Sequence, residues 1–346
     1  MTILINLLYF ILILGIIVFV HEGGHFMFAK LFGVYVYEFA IGMGPKLFSF
    51  KKKETTYSIR LIPIGGFCQL AGEDVGFDDD KDIPKNMRLQ SKKWYERFLI
   101  MFFGAGNNFI LAILLIFLIG LIFGGTTLNP IISDVSSNSP AYTSGLKKND
   151  KILEINDKKV KTSDDIALYL AISDSSKENK FLILRDNKKL TFNIKPQKTK
   201  NGSIYGIKFK QKRTSGFIES IKYTYLKTTS IFRQMRITLS SLITGKVKIS
   251  QLSGPVGIYS VVGEQRKSGI PSIMYLIAFL SINVGFMNLL PLPAFDGGHI
   301  LFIIIELIRG GKKVTPELEA KIHAVGMALL LLLMLIVTFN DIAKLL

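Results

Sequence analysis

The chain has 346 residues, of which 49% are hydrophobic, and its mean hydropathy is +0.36. This balance makes a single water-soluble globule a poor description of the whole chain. The formal net charge of +17 would suit a nucleic-acid partner in a soluble protein, but no stacking pattern of basic and aromatic residues accompanies it, so no nucleic acid is expected.

Four apolar runs along the chain predict transmembrane helices. Each is about as long as the roughly 17 to 25 residues that a helix needs to cross the hydrocarbon core. The first run has neither a basic leader nor a cleavage site of the Ala-x-Ala type, so we interpret it as a retained helix and not as a signal peptide. The four runs are Ile3–Val20, Phe98–Gly124, Ser272–Leu290 and His323–Phe339.

The first run leads directly into the motif "HEGGH". On a helix, residues four positions apart lie on the same face, so His21 and His25 can offer two imidazole nitrogens to one metal ion. Glu22 lies beside them and can act as a general base on a water molecule. The motif alone is only moderately specific, and the histidines could instead cap a helix end. Their position at membrane depth, where ionisable groups are rare and usually functional, favours a metal site.

The segment after the first helix alternates aromatic and β-branched residues with polar ones. The stretch "VYVYEFAIGMGPKLFSFKKKETTYSIRLIPIGGFCQLAGE" therefore predicts short strands or a hairpin with glycine turns, at the edge of the membrane. The chain's one cysteine, Cys68, excludes an internal disulfide and a cysteine metal cluster, and we interpret it as a small buried residue. The following "GFDDDKD" is predicted to be a solvated loop.

The second run contains "FFGAGNNFILA". Two asparagines in lipid, Asn107 and Asn108, need hydrogen-bonding partners. Gly104 and Gly106 would let another helix approach closely enough to provide them, so close helix packing is expected here.

Residues 126 to 196 are polar, with short β-type runs and one capped helical pattern, and predict a small soluble α+β domain. Between Gly216 and Leu242, apolar positions at helical spacing are separated by basic residues. A basic amphipathic helix of this kind commonly lies on a membrane surface, although packing against the extramembrane domain is an alternative.

The third run is interrupted by "PLPAFDGG". Broken backbone at membrane depth is tolerated only where it is buried in protein or lines a wet cavity, so a functional site is expected here. Asp296 is the strongest candidate for a third metal ligand, because a metal ion would compensate a charge that is costly in lipid. His299, one helical turn later, is the second choice, and His323 is interpreted as an interface residue.

These motifs resemble the site-2 protease family of intramembrane zinc metalloproteases, and its bacterial RseP-type branch most. "RLIPIGGFCQLAGE" resembles the membrane-reentrant β-hairpin region of that branch, and "SNSPAYTSGLKKNDKILEINDKKV" resembles a bacterial PDZ domain. Two features depart from the family: Asn107 stands where a proline usually follows the glycine, and there is room for one PDZ domain where well-known relatives have two. The resemblance implies that His21, His25 and Asp296 bind Zn²⁺. It also implies that Glu22 is the general base and that Asn288 binds the substrate backbone.

The resulting fold class is a polytopic α-helical membrane protein with four transmembrane helices, a membrane-reentrant β-hairpin region and an inserted small α+β PDZ domain. Its two catalytic-core halves are predicted at residues 1–125 and 272–346. The PDZ domain is predicted at 126–196, and the amphipathic helix and connector at 197–271.

Basic residues predict the orientation in the membrane. Lys and Arg number 12 between Lys30 and Arg97 and 4 between Arg309 and His323, and both loops are short enough for the positive-inside rule. These loops are expected to face the cytoplasm. The two termini and the PDZ domain would then lie outside, in a multi-pass protein of the cytoplasmic (inner) membrane.

The resemblance implies hydrolysis of peptide bonds within or near the transmembrane segments of single-pass membrane proteins, with the lipid bilayer as a second partner. Pre-trimmed anti-sigma factors and remnant signal peptides are the implied substrates. A substrate helix would unwind and pair with the hairpin edge around Ile41–Pro45 or Ile62–Phe67. The PDZ domain would exclude bulky ectodomains or bind peptide C-termini.

Three other readings fit the residues less well. A membrane di-iron oxygenase needs many more histidines than the 4 present. A non-enzymatic adaptor with a vestigial metal site is disfavoured because every catalytic element is intact. An ordinary zinc protease of soluble peptides would not place His21 and Asp296 in lipid.

Overall fold

The computed structural model describes residues 2–73, 82–174, 176–199, 202–210, 213–245 and 254–343. Most of the "GFDDDKD" loop lies outside these residues. The chain divides into two compact units. The first combines Met1–Leu115 with Leu252–Leu346, and the second is Ile116–Gln251.

Helices account for most of the first unit, and strands are more frequent in the second. The helices are α1 (Thr2–Leu31), α2 (Trp94–Leu118), α3 (Pro140–Thr143), α4 (Ser163–Ala171), α5 (Phe217–Ile243), α6 (Pro255–Lys267), α7 (Ile270–Asn288), α8 (Asp296–Ile308) and α9 (Pro316–Ala343). The strands are β1 (Val36–Lys52), β2 (Thr55–Leu70), β3 (Gly125–Thr126), β4 (Ile132–Val135), β5 (Lys151–Ile155), β6 (Lys158–Lys159), β7 (Asn179–Arg185), β8 (Lys188–Ile194), β9 (Gln197–Thr199), β10 (Gly202–Ile204), β11 (Ile207–Phe209) and β12 (Arg213–Thr214).

Four helices in the described part of the chain are long and apolar enough to cross a membrane, as the four apolar runs predicted. The second continues beyond α2 through a π-helical turn. Large apolar side chains are exposed along the first, second and fourth of these helices, and such surface is stable only against lipid or a partner. The chain is therefore a polytopic helical membrane protein. The four spans are Thr2–Leu31, Trp94–Gly124, Ile270–Asn288 and Glu317–Ala343.

The predicted hairpin is formed by β1 and β2, but its strands are bent so that one stretch of β1 pairs twice. Glu38–Ile41 pairs with Thr56–Ile59 and also with Gly66–Gln69. Register shifts along both strands make this double pairing possible. The stretch Gly66–Leu70 runs beside α1, because a Cβ on Gly66 would lie 3.2 Å from Val18 and 3.7 Å from the side chain of Glu22.

Two apolar clusters hold the first unit together. One joins α1 to the hairpin and α2, and Cys68 is buried in it as predicted, with 8% of its surface exposed. The other joins α1 to α6 and α7, and includes Phe10, Ile13, Ile17, Val262 and Leu276. Together they fix the end of α1 that carries the "HEGGH" motif.

The interruption of the third crossing is the loop between α7 and α8. Helix α8 is an additional apolar helix of 13 residues, shorter than the roughly 17 residues that a crossing needs. Gly297 lets α8 start tightly against the loop, because a Cβ there would lie 2.1 Å from the carbonyl oxygen of Leu290. The break thus places Asp296 at a helix start inside the first unit.

The second unit is built around an antiparallel sheet in the strand order β6-β5-β7-β8, and β4 pairs with β11. A capping box formed by Thr162 and Asp165 begins α4. The core contains fully buried side chains from the strands and from α4, including Ile132, Ile152, Ile166, Phe181 and Ile183. The second unit thus combines helices and strands, as expected for an α+β domain.

Helix α5 packs on this domain through ion pairs to the start of α4. Arg233 donates to the fully buried Asp165 at 2.5 Å, and Lys227 donates to Asp164 at 2.6 Å. Ile237 reaches the apolar core. The middle of α5 therefore packs on the small α+β domain, which was the alternative to a position on the membrane surface. Its N-terminal part exposes the apolar side chains of Phe217, Ile218, Ile221 and Tyr225.

Candidate metal centre

His21 and His25 lie one turn apart near the end of α1 and are buried in the first unit. Each has 8% of its surface exposed, and their Nε2 atoms are 3.4 Å apart. Glu22 follows His21 directly and is half-buried. It lines a cavity that both histidines also line. The helical spacing thus brings two imidazoles and one carboxylate to the same place.

Asp296, the first residue of α8, faces both histidines. Its Oδ2 lies 3.4 Å from His21 Nε2, and its Oδ1 lies 3.5 Å from His25 Nε2. Oδ2 is buried and accepts no hydrogen bond within the described residues. A buried carboxylate oxygen without a donor is costly, and a bound cation would compensate it. The structure therefore brings the three predicted ligands together.

The distances between these ligand atoms suit zinc. With metal–ligand distances of about 2.0 to 2.1 Å, two corners of a tetrahedron lie about 3.3 to 3.4 Å apart. The three contacts among His21, His25 and Asp296 measure 3.4, 3.4 and 3.5 Å. Two imidazoles and one carboxylate also form a donor set typical of catalytic zinc, which keeps its fourth position open.

The outer nitrogen of His25 is held by the backbone of α2. His25 Nδ1 lies 2.9 Å from the carbonyl oxygen of Ile100, which can only accept a hydrogen bond. The ring proton is therefore on Nδ1, and Nε2 keeps a free lone pair on the side that faces Asp296. This is the tautomer that a metal ligand needs.

The outer nitrogen of His21 faces a buried amide. The side chain of Asn108, which is fully buried, lies 3.4 Å from His21 Nδ1 and 3.3 Å from Ser281 Oγ. In the structure the amide nitrogen Nδ2 is toward His21, and Oδ1 accepts from Ser281. A metal bound at His21 Nε2 leaves the ring proton on Nδ1, so it requires the amide to turn by 180° and accept that proton through Oδ1. Ser281 donates in turn to the backbone carbonyl of Asn108, at 3.1 Å. The predicted partner for Asn108 is therefore found.

Two glycines let α1 and α2 approach closely at the centre. A Cβ on Gly24 would lie 1.9 Å from the carbonyl oxygen of Phe103, and a Cβ on Gly104 would lie 2.2 Å from His25 Nε2. The close approach predicted at Gly104 is confirmed. Gly106 instead faces Phe102 and Phe103 of its own helix.

A cavity of about 790 Å³ lies beside the centre, within the first unit. Its wall includes Glu22, the stretch Phe67–Leu70 of β2, the segment Ala294–Asp296 and part of α9. Asn288, the last residue of α7, places its Nδ2 3.5 Å from His21 Nε2. The cavity is large enough for a short extended peptide segment next to Glu22.

The two remaining histidines form a second cluster in the wall of the same cavity. His299 Nδ1 lies 3.2 Å from Glu319 Oε1, and its ring stacks on His323 with centroids 4.1 Å apart. His323 Nδ1 accepts the backbone N–H of Ala294 at 3.1 Å. His323, interpreted from the sequence as an interface residue, is thus a half-buried part of the cavity wall.

This second cluster is a poorer metal site than the first, although its ligand atoms are close enough to share an ion. Because His323 Nδ1 accepts from a backbone N–H, a neutral ring carries its proton on Nε2 and has no lone pair to offer. His299 faces Glu319, whereas Asp296 faces His21 and His25. The geometry therefore favours Asp296 over His299 as the third ligand.

Comparison with known proteins identifies the family. The model of peptidase family M50 matches residues 9–333. The chain belongs to this family. It is 35% identical to the zinc metalloprotease RasP of Bacillus licheniformis and 34% identical to the regulator of sigma-W protease RasP of Bacillus subtilis. Each alignment covers 97% of this chain and 98% of the relative.

A third relative, the zinc metalloprotease RasP of Geobacillus kaustophilus, is 33% identical over 98% of both chains. The M50 member described here is thus an intramembrane zinc metalloprotease of the RseP type, and Zn²⁺ is its cofactor. The resemblance seen in the sequence is confirmed at the level of the family and of its chemistry.

Sequence reasoning missed three groups that contact the candidate ligands or the segments beside them. The Ile100 carbonyl is part of the backbone and leaves no mark in the sequence. Ser281 is one hydroxyl among many in an apolar helix. His323 was named, but its contact with Ala294 depends on how α9 packs on the loop before α8.

Proposed function

We propose that His21, His25 and Asp296 bind the catalytic zinc and that Glu22 is the general base. The observation that carries this proposal is the convergence of three ligand atoms, 3.4 to 3.5 Å apart, from α1 and α8 beside a cavity that Glu22 also lines. Zinc, when bound there, supplies Lewis acidity toward the water and the scissile carbonyl.

Glu22 carries the proton through the reaction. Its carboxylate takes one proton from the attacking water as the new C–O bond forms, and it returns that proton to the amide nitrogen as the C–N bond breaks. The hydrogen bonds at His25 Nδ1 and His21 Nδ1 keep both Nε2 lone pairs in place throughout. Burial of the site excludes bulk water that would compete for these groups.

We further propose that the substrate binds as an added strand in the cavity. The stretch Phe67–Leu70 lines it, and the rest of the hairpin pairs with only one side of this stretch. An unwound substrate segment beside it would gain backbone hydrogen bonds without a demand for sequence. This places the pairing edge slightly beyond the range Ile62–Phe67 expected from sequence. Asn288, whose Nδ2 lies 3.5 Å from His21 Nε2, would hold the substrate backbone near His21.

The hairpin is proposed to dip into the membrane. Its strands expose large apolar side chains, whereas the end of β1 and the turn that follows carry Lys51, Lys52 and Lys53. Apolar strand faces suit lipid, and a charged turn suits the interface. The positive-inside rule puts that turn on the cytoplasmic side, with both termini and the second unit outside.

For the second unit we propose a PDZ domain that screens or holds substrates. Its sheet and the capped α4 support this assignment, together with the "SPAYTSGL" and "NDKILEIN" motifs. The exposed apolar start of α5 would rest on the membrane surface. Single-pass proteins trimmed beforehand are the proposed substrates, and the sigma-regulating relative suggests an anti-sigma factor among them.

The first prediction tests catalysis by Glu22. Purified chain, reconstituted with a single-pass substrate, should cleave it, and Glu22→Gln should lower the rate by at least about 100-fold because the general base is lost. The variant should keep its zinc, since Glu22 is not a ligand. Equal and negligible cleavage by both zinc-loaded proteins, across several substrates, would instead support the adaptor reading.

A further inference from the structure

The backbone immediately before Asp296 is strained. Ala294 has a φ of +75°, a left-handed conformation that side chains other than glycine rarely adopt. It lies two residues before Asp296, at the end of the loop that follows α7. A conformation of this kind persists only where neighbouring groups impose it, and such positions gather at functional sites.

The group that holds Ala294 comes from α9. The backbone N–H of Ala294 donates to His323 Nδ1 at 3.1 Å. The loop and α9 are also in tight contact, because a Cβ on Gly326 would lie 2.2 Å from Pro293 Cβ. On the other side, a Cβ on Gly298 would lie 3.1 Å from His323 Cε1. The ring of His323 therefore sits between the loop and the first turn of α8.

We infer that His323 is a positioning residue for the metal centre: by accepting the N–H of Ala294 it keeps the loop left-handed and so keeps Asp296 directed at His21 and His25. This inference rests on the proposed role of Asp296 as a zinc ligand. It assigns to α9 a part in metal binding, although α9 supplies no ligand to this centre.

The inference explains a costly feature of His323. With Nδ1 used as an acceptor, Nε2 carries the proton, and this buried atom has no hydrogen-bond partner in the described part of the chain. A buried donor without a partner is unfavourable, so the contact that Nδ1 makes must matter more. Stacking on His299 needs only a flat ring and would not require an acceptor.

Two substitutions of His323 separate the acceptor from the ring. His323→Phe keeps a ring for stacking on His299 but removes the acceptor, and His323→Asn keeps an oxygen near the position of Nδ1 but removes the ring. Zinc affinity of the full chain in detergent is measured by competition with a chelator. The phenylalanine variant should raise the Kd for Zn²⁺ about tenfold, and the asparagine variant should stay within about threefold of wild type.

A double-mutant cycle tests whether the effect passes through Ala294. Glycine adopts positive φ without strain, so in an Ala294→Gly background the loop needs less support. There, His323→Phe should raise the Kd for Zn²⁺ by only about threefold or less. An equal effect of His323→Phe in both backgrounds, or an unchanged Kd in the wild-type background, overturns the inference. An asparagine variant that binds Zn²⁺ as weakly as the phenylalanine variant also overturns the inference.

Asp296→Asn, measured in the same assay, keeps this inference separate from the proposed ligand set. It should weaken zinc binding more than His323→Phe does, because it removes a charged ligand. If Asp296→Asn leaves the Kd for Zn²⁺ unchanged, the proposed ligand set itself fails. If it weakens binding while His323→Phe does not, only the positioning role fails.

Discussion

At the scale of single residues, the metal centre depends on groups that are not ligands. Each histidine of the "HEGGH" motif uses one ring nitrogen toward Asp296 and the other toward a fixed partner in α2. A ring held at both nitrogens has one tautomer and one orientation, so the site is organised before metal arrives. The Ile100 carbonyl does this for His25, and Asn108 does it for His21 once its amide oxygen faces Nδ1.

Replacement of Asn108 should therefore weaken zinc binding without removing a ligand. Asn108→Leu has a similar volume but cannot accept the proton of His21 Nδ1, and we expect the Kd for Zn²⁺ to rise about 10- to 100-fold. Asn107→Leu is the matched control, because Asn107 makes no side-chain hydrogen bond within the described residues. Chelator competition on both variants checks this, and equal affinities would refute the role given to Asn108.

The proposed ligands could be selected from the sequence because their signals are local or energetic. Spacing on one helix face pairs His21 with His25, and a carboxylate in broken membrane-depth backbone marks Asp296. The sequence ranked Asp296 above His299 only by the cost of an unpaired carboxylate in lipid, and it gave no geometric reason for the choice. Both lie in the first turn of α8, and only the packing of α8 against α1 and α9 decides which one faces the histidines.

At the scale of elements, the centre lies where α1 and α2 approach most closely. The sequence predicted both helices and the hairpin from their periodicity, but the double pairing of Glu38–Ile41 and the separate helix α8 were not foreseen. The double pairing was missed because strand register depends on contacts between residues distant in sequence. Helix α8 was missed because a short apolar helix after a proline-rich break has the same sequence pattern as the end of a transmembrane helix.

Substitution of two adjacent glycines in α1 tests the close approach. A Cβ on Gly24 would meet the backbone oxygen of Phe103 at 1.9 Å, and backbone cannot rotate away as a side chain can. Gly24→Ala should therefore separate the helices, lower the unfolding temperature in detergent and reduce zinc content. Gly23→Ala should leave the zinc content unchanged, because its Cβ meets nothing within 4 Å. Its free energy of unfolding should stay the same or rise by up to about 1 kcal/mol, because alanine favours a helix more than glycine does. Similar losses in both variants would contradict this account.

At the scale of the whole molecule, charge and hydropathy divide the chain between lipid and water. The first unit exposes apolar helix surface, whereas the second unit has its own core and carries most of the basic residues. If the proposed centre lies at membrane depth, its substrates are peptide segments that enter the membrane. Soluble parts of a substrate would meet the second unit first, if that unit lies outside as proposed.

Labelling in intact cells tests this arrangement. Lys52, at the hairpin turn, and Lys159, in the second unit, are both exposed in the structure. A membrane-impermeant maleimide should label Lys159→Cys in intact cells and Lys52→Cys only after permeabilisation, because the positive-inside rule predicts a cytoplasmic location for the basic loop. The native Cys68 is buried and should contribute little background. Equal labelling of both positions from outside would overturn the orientation and, with it, the proposal that the second unit screens substrates before they reach the zinc.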